Sequence, residues 1–165
     1  MPLVSFYSKV GKKRAFEEMR TVIVVEGTSL PPGPYGFLEF YCDEVACDCR
    51  RVLFHVIRPD TAEKVWATIN FGWETPEYYR KWSRGGDMAN EMASASLDPL
   101  GPQTKHAPEL LRLFKEYAQS DAAYVARLKK HYAALKRLCT GGRRLAPADK
   151  PGGHTRSRRR NRKGA

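Results

Sequence analysis

No stretch of this chain approaches the ~20 consecutive apolar residues that span a bilayer, so a membrane-crossing helix is not expected. Cysteine is scarce: four in 165 residues is too few for a disulfide scaffold. The first residues, MPLVSFYSKVGKKR, lack the basic segment followed by an apolar stretch that marks a secretory signal. The chain also lacks a phosphate-cradling glycine loop, a GxSxG nucleophile turn and a convincing catalytic triad. A cytoplasmic protein with no membrane partner is the expectation, and no reaction is named by any motif. The chain is not short of apolar residues. They make up 42% of it, with 11% aromatic, enough to fill one core and to exclude a wholly disordered protein.

Acidic residues are nearly missing from the C-terminus. From Thr140 to Ala165 there are nine Lys or Arg and a single acid, Asp149, a net +8 within a total of +11. Residues 1–139 are almost balanced, at +3. The segment TGGRRLAPADKPGGHTRSRRRNRKGA has almost no large apolar residue besides Leu145. It cannot bury enough surface to offset the entropy of ordering, so a disordered basic tail over 140–165 is predicted beyond a folded domain over 1–139. Within it RSRRRNRK carries six charges in eight residues: Arg156, Arg158, Arg159, Arg160, Arg162 and Lys163. That density suits an electrostatic hold on RNA or DNA phosphate, and equally a solubilising tail. No aromatic residue is interleaved to stack on bases.

β-branched and aromatic runs predict four strands: Thr21–Glu26, Phe37–Cys42, Arg50–Arg58 and Val65–Phe71. The proline- and glycine-rich GTSLPPGPYG between the first two reads as a loop. Short connections of this kind make an antiparallel meander. GKKRAFEEMR is expected to form a short helix before them. After them Thr75-Pro76-Glu77 signals a helix start: a capping hydroxyl, a proline at the first helical position and an acid at the positive end of the dipole. That helix carries Tyr78, Tyr79 and Trp82, and a second helical piece falls within DMANEMASA. Ala107–Gln119 carries Leu110, Leu111, Leu113, Phe114 and Tyr117 at helical spacing. A last helix, capped by Ser120 or Asp121, places Tyr124, Leu128, Leu135 and Leu138 on one side. The short link between these two predicts an antiparallel helical hairpin. The expected fold class is α+β: a four-stranded antiparallel sheet followed by a helical half that ends in the hairpin.

Three of the four cysteines, Cys42, Cys47 and Cys49, stand in the pattern C-x4-C-x-C. Cys42 closes one predicted strand and Cys47 and Cys49 open the next, so all three gather at the mouth of one hairpin. Three thiolates there suit a soft cation, with zinc the expected one. A shared tetrahedral zinc, bonded at ~2.3 Å, requires the sulfurs to converge to about 4 Å of one another. The fourth ligand is open. His55 is about 20 Å further along a regular strand. Cys139 and His106 would have to fold back, while Asp43, Glu44 or Asp48 could offer an oxygen. An open position holding water would be a catalytic arrangement, but no glutamate stands at a diagnostic offset to act as base. Two other readings stand beside the metal: a Cys42–Cys47 redox pair made reactive by Arg50 and Arg51, and three small core residues.

FLEFYCDEVACDCRRVLFHV and LDPLGPQTKHAPELLRLFKEYAQSDAAYVARLKKHYAALK together resemble, over roughly residues 35–138, a set of uncharacterised bacterial proteins. Some of those end in a cysteine-rich SEC-C metal motif. This chain departs from them, since its own C-terminus is arginine-rich and has no cysteine. The resemblance implies only that Cys42, Cys47 and Cys49 act together.

The leading expectation is a non-enzymatic zinc-stabilised module with a tail that associates with nucleic acid. Its competitors are a thiol-redox or zinc-dependent enzyme using the same cysteines, and a protein–protein adaptor using the aromatic helix and the hairpin. A cavity with converging polar groups beside the cysteines would favour an enzyme.

Overall fold

The computed structural model describes residues 3–61 and 63–142. Six strands alternate with helices in the order β1 (Leu3–Ser5), α1 (Phe6–Val10), α2 (Lys12–Glu18), β2 (Arg20–Val24), β3 (Gly33–Cys42), β4 (Arg51–Ile57), β5 (Ala67–Gly72), α3 (Pro76–Trp82), α4 (Ala89–Met92), β6 (Ala95–Leu97), α5 (Ala107–Phe114) and α6 (Ala122–Gly142). The class is α+β and every strand pairing is antiparallel. The sheet is wider than the four strands expected. Strand β3 is long enough to pair with β2 through Gly33–Phe37 and with β1 through Phe40–Cys42 on the same side, and β6 extends the far edge beyond β5. β1 and β6 are three residues each, too short to display the alternation that marks a strand.

Alternate residues of the central strands face the core: Phe37 and Tyr41 on β3, Val52, Phe54 and Val56 on β4, Ala67, Ile69 and Phe71 on β5 are all buried. Two helices cover that face. From α5, Phe114 reaches three strands at once, with ring centroids 5.3 Å from Phe37, 5.0 Å from Phe54 and 5.7 Å from Phe71. From α6, Tyr124, Leu128 and Leu135 are buried as their spacing predicts, while Leu138 is exposed. α5 gives way at Lys115–Gln119 to a π-helical turn, which brings Ala118 inward and leaves Tyr117 outside, against the simple helical reading. Thr75 caps α3 as expected, its hydroxyl accepting from the Tyr78 amide. The proline-rich stretch does not remain a loop throughout: Gly33–Gly36 belong to β3, and Pro34 pairs with Ile23 of β2 at a position where β3 has no β4 partner. Among the described residues no helix is long and apolar enough to cross a membrane. Arg156, Arg158, Arg159, Arg160, Arg162 and Lys163 lie outside the described residues.

Candidate metal centre

Cys42 is the last residue of β3, and Cys47 and Cys49 stand in the loop that leads to β4 rather than in a strand. Two features turn this loop back on itself. The Cys47 amide donates to the Glu44 carbonyl at 3.1 Å. Arg50 adopts a left-handed backbone with φ 47°, uncommon for a residue other than glycine and a sign that its surroundings hold it there. The result brings the three sulfurs within 4.8 Å of one another, with Cys42 and Cys49 buried and Cys47 half-buried. Three sulfurs so placed could hold a metal ion. No fourth His, Cys, Asp or Glu among the described residues joins them at that distance. None of the four cysteines is in a disulfide among the described residues.

The thiols of the site hold their protons strongly. Burial and the neighbouring thiols Cys47 and Cys42 push the Cys49 thiol up to about 12. Burial likewise raises Cys42. Against this, the Glu44 amide bonds to the Cys42 sulfur and the Arg51 amide to the Cys49 sulfur, each favouring thiolate. These are N–H donors two residues beyond each cysteine, waiting on a negative sulfur. A divalent ion at the centre would favour the thiolates against the burial that keeps their protons on.

The loop is braced from two sides. Tyr132 on α6 donates its hydroxyl to the Cys47 carbonyl at 3.4 Å and accepts from the Arg50 amide at 3.4 Å. One turn further along α6, the Lys136 ammonium donates to the carbonyls of Glu44 at 2.7 Å and Cys47 at 2.8 Å. From α3, the Tyr79 hydroxyl donates to the Arg50 carbonyl at 2.8 Å, and that of Tyr78 to the Asp48 carbonyl. Arg50 stacks over Tyr78 and pairs with Asp48 at 2.9 Å and Glu74 at 3.3 Å. Tyr78 and Tyr79 of α3 therefore brace the cysteine loop, and Arg50 balances Asp48 and Glu74 beside it.

The other ligands considered from sequence do not reach the cluster. His55 lies against Phe40, with ring centroids 4.4 Å apart. His106 precedes α5 and faces Trp66 at 5.6 Å. Asp48 is engaged by Arg50, and Cys139 packs against the core from α6.

Beside the cluster is a cavity of about 240 Å³ that both Cys42 and Cys49 line, together with Arg51, Asn70 and Asp98. The Nε of Arg51 is buried and makes no hydrogen bond among the described residues. Asp98 accepts from the amides of Leu100 at 2.8 Å and Gly101 at 3.0 Å, and from the Asn70 side chain. A larger cavity, about 530 Å³, includes Phe16, Met19, Leu38, Ile57 and Arg58 in its lining. The Arg58 guanidinium there is occupied by Asp60, Tyr35 and the carbonyls of Pro31 and Pro32.

Sequence reasoning missed a second polar cluster. His131 is buried, with Nδ1 2.7 Å from Glu39 and Nε2 2.6 Å from Glu18, and Phe6 stacks on its ring at 4.1 Å. Tyr41 also donates to Glu39, at 2.7 Å. The signal was Glu39 itself. It stands between Phe37 and Tyr41 on the inward side of β3, where a carboxylate needs a partner. No family model, curated protein or solved structure matches this chain.

Proposed function

We propose that this protein is a zinc-stabilised module whose basic C-terminal segment associates with nucleic acid. The convergence of three cysteine sulfurs within 4.8 Å carries the metal part. Zinc fits because an all-thiolate donor set suits a borderline-soft d¹⁰ ion with no redox chemistry of its own. The density of arginine in RSRRRNRK carries the nucleic-acid part.

A second reading is favoured by one observation, the cavity walled by Cys42, Cys49, Arg51, Asn70 and Asp98. With three protein ligands and an adjoining cavity, the metal would keep an open position, as small-molecule and catalytic sites do.

The test is native mass spectrometry of the purified chain. One zinc per chain is expected, and Cys47→Ser should lose it and melt at a lower temperature, because binding energy at such a site is folding energy. A metal-free wild-type chain, still metal-free after zinc is added under reducing conditions, would reject the metal.

A further inference from the structure

Resting on that metal reading, we infer that the fourth coordination position is taken by the sulfur of a small thiol bearing a carboxylate and an amine, entering from the cavity beside Cys42 and Cys49. The protein's own donors stop at three among the described residues. Two of those three line the cavity, so an ion held by them faces it. At about 240 Å³ the space is smaller than the pockets of about 300 Å³ and upward that take drug-sized ligands, which limits the occupant to a small molecule. An ion already held by thiolates prefers a further soft donor, which selects sulfur over oxygen.

The remaining wall decides what else the molecule carries. Arg51 supplies a guanidinium with its Nε buried and lacking any hydrogen bond among the described residues, and a carboxylate is the planar anion that guanidinium holds best. Asp98 supplies a carboxylate fixed by two backbone amides and the Asn70 side chain, so its charge stays in place to receive an ammonium and to repel a second carboxylate. A soft cation, one fixed positive charge and one fixed negative charge match a thiol, a carboxylate and an amine on one short skeleton. On binding, the thiol proton leaves to solvent, the metal–water bond breaks and a metal–sulfur bond forms. No oxidation state changes.

The experiment loads the full-length protein with Co²⁺ in place of zinc, without oxygen, and follows the sulfur-to-cobalt absorption during addition of L-cysteine, L-serine or 3-mercaptopropionate. The expected result is a saturable rise with L-cysteine, no response to L-serine, and weaker binding of 3-mercaptopropionate. A ternary protein–metal–cysteine mass should appear under native conditions. Arg51→Gln should weaken L-cysteine binding about tenfold with the starting spectrum unchanged. Asp98→Asn, which keeps an acceptor for the Leu100 and Gly101 amides, should erase the preference for L-cysteine over 3-mercaptopropionate. A three-sulfur spectrum that L-cysteine leaves alone until it strips the metal would overturn this inference and leave the metal reading standing. A spectrum at four-sulfur intensity before any thiol is added would do the same. Absence of sulfur-to-cobalt absorption would overturn both.

Discussion

At the residue scale the three cysteines oppose one another until something cationic joins them. Cys49 holds its proton to about 12, against an ordinary value of 9.0, and burial is the first cause. The sign of the consequence follows from linkage. In the metal-free protein, stability is complete below pH 9, where thiols are protonated both folded and unfolded. As pH rises past 9 the unfolded chain ionises first, so the folded state loses stability up to about pH 12. Bound metal reverses this, because the folded thiols are already deprotonated. The melting temperature of the metal-free protein, compared with Cys49→Ser, should therefore fall more steeply between about pH 9 and 11. The zinc-loaded protein should show no such extra fall. Parallel curves for the metal-free protein and Cys49→Ser would mean that the Cys49 thiol is not perturbed by its burial.

At the scale of elements, α3 and α6 hold the cysteine loop from two separate parts of the chain. Tyr79 is fully buried, and Gly72 faces it so closely that a Cβ there would meet the Tyr79 hydroxyl at 2.4 Å. Tyr79→Phe removes the bond to the Arg50 carbonyl and the acceptor of the Glu74 amide, and should cost about 1–2 kcal/mol of stability. It should also speed metal release to a chelator, since the left-handed Arg50 next to Cys49 loses its anchor. A release rate equal to wild type would place the loop's rigidity in Tyr78 and α6 rather than in Tyr79. The pattern of residues reveals some of this and hides the rest. Alternation gave the central strands, and Thr75-Pro76-Glu77 gave the start of α3, because both are local. The C-x4-C-x-C spacing gave the sulfur cluster. It could not give the brace, since Lys136 and Tyr132 lie more than 80 residues from the carbonyls they hold. Lys136 looks like one more charge on a solvated helix until the loop is folded beneath it.

The same separation governs a buried polar cluster that ties three parts of the molecule together. His131 on α6 reaches Glu39 on β3 and Glu18 at the end of α2. A carboxylate stands at each ring nitrogen, so both edges of the buried imidazole are engaged. Removing the imidazole leaves Glu39 buried with the Tyr41 hydroxyl as its remaining side-chain partner, so His131→Leu should cost about 3–5 kcal/mol, measured by chemical denaturation. A loss below about 1 kcal/mol would mean that the Glu39 carboxyl does not depend on the imidazole for its burial.

Charge divides the whole chain differently. The near-balanced body engages several of its cations internally: Arg20 on Asp121, Arg50 on Asp48 and Glu74, Arg58 on Asp60, Lys136 on two carbonyls. The surplus falls on residues 140–165. If that surplus is the nucleic-acid contact proposed above, it acts through counterion release and reads no sequence. Deleting residues 146–165 should then abolish most binding to a generic RNA or DNA and leave the melting temperature unchanged, because the deleted segment has no large apolar side chain to anchor it. For the six clustered charges of RSRRRNRK, the slope of log affinity against log salt should be about −4 to −5 in the full chain. A truncated chain that binds as tightly as the full one would make the segment a solubility feature. Binding that survives high salt with strong sequence preference would instead move recognition onto the folded domain, and a mutational scan of its exposed cations Lys129 and Lys130 on α6 would follow.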